Sequence, residues 1–562
     1  MQITFENTFK RILPDRKSLT SDALAGLTGA VAGAPQAMGF ALIAGVNPIY
    51  GLYAAFISTI VGSLTSGSTF MTIAPTNALS LVVFSTLGDN GTVSIEKMIV
   101  LTLLVGVFQL GFGLLRLGDL TRFVSNAVMT GFITGAGLLI VLGQLKHVNG
   151  FDPQTASFWP LQLAKWLPNF FDWLLHLPQS EPHTFILGVA AIIIIATLHH
   201  TRFKNIATLL AILVTTLFVM LMGWSDVETV ASVPAGLPVP SLPQMQYAVE
   251  LAPAALAMAV LALVQSAALT QTVREPDGSI PNANRDFVAQ GLSNIVGGFF
   301  QGMPSGGSLS RTAVNVSAGA KTRWANIFSG LYIGLILLAF GGLIEKITLA
   351  ALAGHLVVAA FSLIRPREIA LVWRVNPSAR AAMVATFVST LILPLEFSIY
   401  IGVFLSLGLY IYSSSGNVKV VQLVRAENNH FREIDLPKTL PEHGVTIISV
   451  HGHLYFAAVH HLEGCLPDPT IAHHTVVILR LRNNRYMGST GIHLLERYAK
   501  QLRHHGGRLI LSGVSPFVRD QLSRTQSLQF FGEDNIFVQS DTIFGATEHA
   551  LEAAETWLKT TS

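Results

Sequence analysis

The 562 residues are 51% hydrophobic and only 12% charged, about half the charged share of a soluble globular chain, where roughly a quarter of residues are charged. This excludes a wholly water-soluble protein and describes a polytopic membrane protein. The net charge of +3 is small and the basic residues are scattered, which excludes the concentrated basic face that nucleic acid requires.

In chain order, residues 1–20 carry Glu6, Lys10, Arg11, Asp15, Arg16 and Lys17. They are too charged for the apolar part of a cleavable signal peptide and are expected to be a cytoplasmic amino-terminal segment. The 66 residues from Ala23 to Gly88 contain no Asp, Glu, Lys or Arg, room for about three spans of roughly 20 residues each. Within them, Pro35-Gln-Ala-Met-Gly-Phe40 sets Gln36 and Phe40 four apart on one helix face. An amide N–H beside an aromatic edge suits a partly dehydrated anion; plain helix packing is the competing reading of the same motif.

Apolar segments fall at about 22–44, 48–64, 74–88, 97–115, 120–144, 184–199, 206–223, 247–273, 286–302, 308–319, 324–343, 346–363, 381–394 and 396–413, roughly fourteen spans in a transport region of residues 21–414. With an inside amino terminus, the even-numbered connections from the fourth to the twelfth are cytoplasmic. They carry Arg116 and Arg122, Arg202 and Lys204, Arg274 and Arg285, Lys321 and Arg323, then Arg365, Arg367, Arg374 and Arg380, as the positive-inside rule requires. The short segments near 165–178 and 286–302 are the ones able to change the count by a pair.

Two segments are too short and too broken for ordinary spans. Met71-Thr-Ile-Ala-Pro-Thr-Asn-Ala78 opens the third span and Met303-Pro-Ser-Gly-Gly-Ser-Leu-Ser-Arg311 the tenth. Matching Pro/Gly interruptions in two halves point to an inverted repeat with a binding site at mid-membrane, because unwound backbone is tolerated there only inside protein or beside a polar cavity. Thr76 and Asn77 lie in the first interruption, and Leu309, Ser310 and Arg311 end the second. Arg311 is the single formal charge between Asp286 and Lys321. An intramembrane charge is a functional residue by default, and half-helix amino ends aimed at mid-membrane, with a guanidinium added, make an anion site. The competing reading is an arginine near the interface that snorkels to water. Gln265, in the largely apolar run Ala254–Leu269, lines the site or hydrogen-bonds a neighbouring helix.

After Ser415 the composition changes: residues 415–441 read as a polar linker and 442–558 as a cytoplasmic α/β domain. Its expected elements are strands at Val445–Val450, Leu454–Phe456, Val476–Leu481 and Arg508–Leu511, and helices at Ile492–His505, Phe517–Ser523 and Asp541–Leu558. His451, His453, His460, His461, His473 and His474 crowd its start without metal-ligand spacing. The lone Cys465 has no partner for an internal disulfide and reads as a free buried thiol. No phosphate-cradling loop or Ser-His-Asp arrangement supports ATP-driven pumping or hydrolysis, and no cofactor is called for.

Pro35–Phe40, Asn47-Pro-Ile-Tyr-Gly-Leu-Tyr53, Ser308-Leu-Ser-Arg-Thr-Ala-Val-Asn315 with Ala318-Gly-Ala-Lys-Thr322, and Gly488-Ser-Thr-Gly491 together resemble the SulP sulfate permease family, also called solute carrier family 26. The resemblance covers nearly the whole chain and is most specific at Ser310–Asn315. It implies a 7+7 inverted repeat of core and gate domains followed by a STAS domain with a four-to-five-stranded sheet. It implies elevator-like transport rather than catalysis, a homodimer in a lipid membrane, and an anion held between the amino ends of the third and tenth spans by Gln36, Phe40, Thr76, Asn77, Leu309, Ser310 and Arg311. The chain departs from the family at two places. Gln265 stands where many bacterial relatives have a carboxylate, with Leu269 where sodium-dependent ones have Thr, and an amide neither titrates nor anchors a cation. Gly488-Ser489 replaces the Asp-Ser of the STAS phosphoacceptor, leaving Ser489 as a regulatory site or a helix N-cap.

The expectation is a secondary transporter of small inorganic anions, sulfate first with bicarbonate or nitrate next, in the inner (plasma) membrane with both termini cytoplasmic. The alternatives are an uncoupled channel for chloride or bicarbonate, and a membrane sensor whose STAS domain meets a cytoplasmic protein partner.

Overall fold

The computed structural model describes residues 18–561, apart from 90–91, 119–124, 152–165, 176–179, 202, 205, 231–235, 416–417, 427–429, 453, 455, 471–472, 483 and 485. Arg122, Arg202, His453 and the charged residues Glu6 to Lys17 lie outside the described residues.

The transport region runs α1 (Leu19–Ile43), α2 (Pro48–Thr65), β1 (Ile73–Pro75), α3 (Asn77–Leu87), the hairpin β2–β3 (Gly88–Asp89, Thr92–Val93), α4 (Ile95–Leu114), α5 (Asn126–Asn149), α6 (Trp166–Leu175), α7 (Pro182–His199) and α8 (Ala207–Met222). It continues with α9 (Ala248–Thr272), α10 (Ala283–Phe299), β4 (Ser305–Gly307), α11 (Leu309–Ser317), α12 (Trp324–Ile344), α13 (Leu349–Leu363), α14 (Pro366–Val375), α15 (Pro377–Ile392) and α16 (Leu395–Ser415). Each of the fourteen apolar segments falls on one of these helices. Eight of the described helices are long and apolar enough to cross a membrane by length and composition. Two of the remaining span helices, α3 and α11, have only 11 and 9 residues because each begins directly after a strand.

The helix ends follow local rules. Asn47 caps α2 and Pro48 takes its first turn, Ser94 caps α4, and Ser125 caps α5, which Gly150 closes in the left-handed conformation. Sequence reading left α14 out. Its Pro366 start and the Asn376 and Pro377 that follow are ordinary boundary signals, but its ten residues are too few for a span.

The helices pack in two groups. α1, α2 and α4 pack with α9, α10 and α12 and enclose β1 and β4, while α5, α7 and α8 pack with α13 and α15. These are the core and gate halves. Glycines let α4 and α10 approach closely: a Cβ at Gly106 would lie 2.8 Å from the Gly291 carbonyl oxygen, and one at Gly291 would lie 2.8 Å from that of Gly106. Side chains at either position would force the backbones apart, and lipid offers no hydrophobic drive to offset the lost packing.

The second compact unit begins at Leu407. It contains β5 (Lys419–Arg425), β6 (Phe431–Ile434), β7 (Val445–His451), α17 (Phe456–Cys465), β8 (Val476–Arg480), α18 (Ser489–His504), β9 (Arg508–Val514), α19 (Pro516–Arg524), α20 (Leu528–Phe531), β10 (Ile536–Val538) and α21 (Gly545–Thr561). The sheet has six strands in the order β10-β9-β8-β7-β5-β6, with β7 to β10 parallel and β5 and β6 antiparallel. One face packs Ile448, Val477, Leu479, Leu509 and Leu511 against α17, α18 and α19; the other packs Val476, Ile478 and Ile510 against Ala550 and Ala554 of α21.

Three expectations need correction. Residues 419–434, read within the 415–441 linker, form β5 and β6, because the buried Val421 and Leu423 of Lys-Val-Val-Gln-Leu-Val-Arg let that strand join the sheet edge. The extra pair takes the sheet from four or five strands to six. Leu454–Phe456 is not a strand: Leu454 is outside any element and Phe456 opens α17. Cys465 is half-buried rather than buried, with its Sγ 3.7 Å from His461 Nε2, because it ends α17 at the surface.

Candidate functional site

The two interrupted segments come together as a short ladder in the core. β1 and β4 are antiparallel, pairing Ile73 with Gly307, Ala74 with Gly306 and Pro75 with Ser305. Each strand turns directly into a half-helix whose cap is a hydroxyl residue. The Thr76 side chain accepts from the Leu79 N–H and the Ser308 side chain from the Arg311 N–H. The amino ends of α3 and α11 are thus set at opposite ends of one buried ladder, where their dipoles and unbonded N–H groups favour negative charge.

Side chains from other spans complete the ladder's hydrogen bonds. On the β4 side, Asn294 of α10 accepts from the Ser305 N–H at 2.7 Å and donates to the Ser305 carbonyl at 2.7 Å. Gln290 accepts from the Gly307 N–H at 3.2 Å. On the β1 side, the Thr59 hydroxyl donates to the Ile73 carbonyl at 3.0 Å, and Asn326 of α12 donates to the carbonyls of Phe70 and Met71. The loop before β1 is tied by the buried Asp286, which accepts from the Ser66 hydroxyl at 2.7 Å and the Ser68 N–H at 2.9 Å. The loop after α11 is tied by Asp22, which accepts from the N–H groups of Lys321 and Thr322. Unwound backbone at this depth is stable only with such partners. Sequence reading missed Asn294, Gln290, Asn326, Asp286 and Asp22; buried Asn and Asp flanking broken spans were the available signal.

Of the residues singled out from sequence, Thr76 caps α3, and Asn77 begins it, half-buried. Leu309 and Ser310 are the first two residues of α11 and are exposed. Among the described residues, no acceptor meets the N–H groups of Asn77, Leu309 or Ser310. Gln265 on α9 accepts from the Thr76 hydroxyl at 3.4 Å, so it reaches the α3 cap. On α1, Gln36 is half-buried and Phe40 is 7% exposed; Phe40 packs in the apolar cluster that holds Ala78 and Leu79 of α3 and Leu261 of α9.

Arg311, the third residue of α11, is 5% exposed. Both of its terminal guanidinium nitrogens are buried with no hydrogen-bond partner, and among the described residues no carboxylate pairs with it. Its guanidinium lies against Gly33 of α1. Burial removes the snorkelling reading, and a buried unpaired cation is costly unless something anionic visits it. The site combines a buried guanidinium with unbonded N–H groups at two half-helix amino ends, an electrostatic character that favours negative charge.

In the second unit, Ser489 is the exposed first residue of α18 and makes no capping bond, since Gly488 occupies the cap position. The cap reading of Ser489 therefore does not hold. The histidines pair off locally: His451 with Glu433, His460 with Glu463, His473 with His505 and His474 with His443. Among the described residues, no three His, Cys, Asp or Glu side chains converge on a metal-sized centre.

The description "Sulfate permease family" matches residues 19–386, and "STAS domain" matches residues 437–543. Sulfate transporter 4.1, chloroplastic, from Arabidopsis thaliana is 26% identical over 92% of this chain and 78% of its own. The fold is similar to that of the murine Solute Carrier 26 family member A9 anion transporter in the inward-facing state, with a TM-score of 0.83 at 18% identity over 99% of this chain and 96% of that one. It is also similar to the transmembrane domain of a cyanobacterium bicarbonate transporter, BicA, with a TM-score of 0.57 at 23% identity over 70% of this chain and 99% of that one. With well over half of its length matched by one family, the chain belongs to the sulfate permease family of membrane anion transporters, which are not enzymes, and carries a STAS domain after its transport region.

Proposed function

We propose that this protein is a secondary transporter of small inorganic anions, sulfate first, with bicarbonate and nitrate as the next candidates. The observation that carries the reading is Arg311, buried beside a half-helix amino end with both terminal nitrogens unpartnered. The anion is held between the amino ends of α3 and α11 by Arg311, the N–H groups of Asn77, Leu309 and Ser310, and the Thr76 hydroxyl, with Gln36, Phe40 and Gln265 lining the site. The core helices carry it by moving against the gate helices, in alternating access of the elevator kind. The name of the plant relative supports sulfate, and that of the cyanobacterial structure keeps bicarbonate close.

A second reading is favoured by Gln265. Its amide is engaged with Thr76 and neither gains nor loses a proton at working pH, so exchange or uncoupled anion passage fits this position better than proton or sodium symport. The protein works as a homodimer in the inner (plasma) membrane with both termini cytoplasmic, and exposed Ser489 is the regulatory position of a STAS domain that meets a cytoplasmic partner. Uptake of labelled sulfate into proteoliposomes, with bicarbonate or nitrate as competitor, tests the substrate. Saturable uptake that neither competitor inhibits establishes sulfate. No sulfate uptake by folded protein moves the site to the smaller anions and the uncoupled reading.

A further inference from the structure

Arg311 is held by a space rather than by a partner. Its side chain is 5% exposed and neither terminal nitrogen has an acceptor, so no hydrogen bond or ion pair fixes where the guanidinium lies. What it rests on is Gly33 of α1: a Cβ at that position would lie 2.7 Å from both Cζ and Nε of Arg311, and closer still to Nη2. Real Cβ atoms do not approach other atoms so closely, so any side chain at 33 moves the guanidinium. The atoms displaced belong to the end of a flexible side chain.

Gly33 also lies three residues before Gln36 and seven before Phe40, on the α1 face that carries both. Gly33 has ordinary helical backbone in a helix that runs on through Pro35, so the glycine is not required by its backbone conformation; alanine is the better helix former there.

We propose that Gly33 is the positioning residue of the anion site: its missing side chain is the seat that keeps the Arg311 guanidinium aimed at the anion, and so sets affinity. The proposal rests on the Arg311 reading of the site. A side chain at 33 weakens anion capture while leaving helix packing and the transport step intact.

The test is a double-mutant cycle on the full-length protein in proteoliposomes, using whichever of sulfate, bicarbonate, nitrate and chloride the parent takes up fastest, with Gly33→Ala, Arg311→Ala and the double variant. Gly33→Ala is expected to raise KM about tenfold, the scale of one charge-assisted hydrogen bond, with kcat near the parent's and the melting temperature of the anion-free protein unchanged or higher. In the Arg311→Ala background, Gly33→Ala is expected to change KM no further. Parental KM in Gly33→Ala overturns the proposal, as does an equal loss from Gly33→Ala with Arg311 present or absent, which would mean the glycine acts elsewhere. Parental KM in Arg311→Ala instead overturns the site reading, and is separately visible in the same cycle.

Discussion

At the scale of single residues, the site is defined by one charge that is present and one that is absent. Arg311 brings a full positive charge to a buried point where two half-helices already contribute partial ones. Gln265 puts a neutral amide 3.4 Å from the Thr76 hydroxyl, where an acid would bring a second charge to the mouth of the site. Gln265→Glu is therefore predicted to make uptake pH-dependent. With the added carboxylate ionised, its repulsion lowers anion affinity; as pH falls and it protonates, affinity returns toward that of the parent. Uptake across pH 5 to 8 checks this, and flat kinetics in the variant would place Gln265 outside the reach of the anion. The sequence carried Arg311 and Gln265 plainly, since each is a polar residue in an apolar run. It did not show that the Arg311 nitrogens lack partners or that they lie against Gly33, because both depend on contacts between α11 and α1, 278 positions apart along the chain.

At the scale of elements, the sequence showed where helices break but not what replaces them. Pro75 and the Gly306-Gly307 pair announced irregular backbone, whereas the pairing of Ile73 with Gly307 is a long-range register with no local signature. The amides that satisfy the ladder and the backbone leading into it, Asn294 and Asn326, come from α10 and α12. In the STAS domain, β5 was lost to a linker because its charged ends, Lys419 and Arg425, outweighed the alternating Val421 and Leu423 between them. The strands β7, β8 and β9 were legible as short apolar runs, β-branched in β7 and β8.

That domain also gives an element-scale test. Tyr498 of α18 is 5% exposed and its hydroxyl donates to the Pro467 carbonyl at 2.9 Å. Burial, aided by the charge of Asp468, pushes its ionisation above the usual tyrosine range. A raised ionisation means the contribution is fully present below the unfolded value near 10 and is lost as pH climbs toward the folded one. The full-length protein is predicted to lose STAS-domain stability above about pH 10 through this group. Tyr498→Phe should cost about 1 kcal/mol at neutral pH from the lost hydrogen bond and flatten the alkaline limb. Thermal melts between pH 7 and 11 check it, and an unchanged alkaline limb would assign that loss to other groups.

At the scale of the whole molecule, each unit has its own logic. The transport region is two groups of helices, one closed around the ladder of β1 and β4 and the other assembled from α5, α7, α8, α13 and α15. The anion site proposed at the ladder belongs to the first group, which is the arrangement an elevator needs if the anion is to travel with one rigid part while the other stays in place. The STAS unit is a six-stranded sheet sandwiched between helices, with Ser489 exposed at a helix start.

The proposed transport depends on anion binding at Arg311. The most direct measurement is equilibrium binding of labelled sulfate to the purified full-length protein, compared with Arg311→Ala at fixed ionic strength, with thermal melts confirming that both are folded. The account predicts one saturable site in the parent and a loss of affinity of at least about tenfold in the variant, the scale of a charge-assisted contact. Equal saturable binding by both proteins would contradict it.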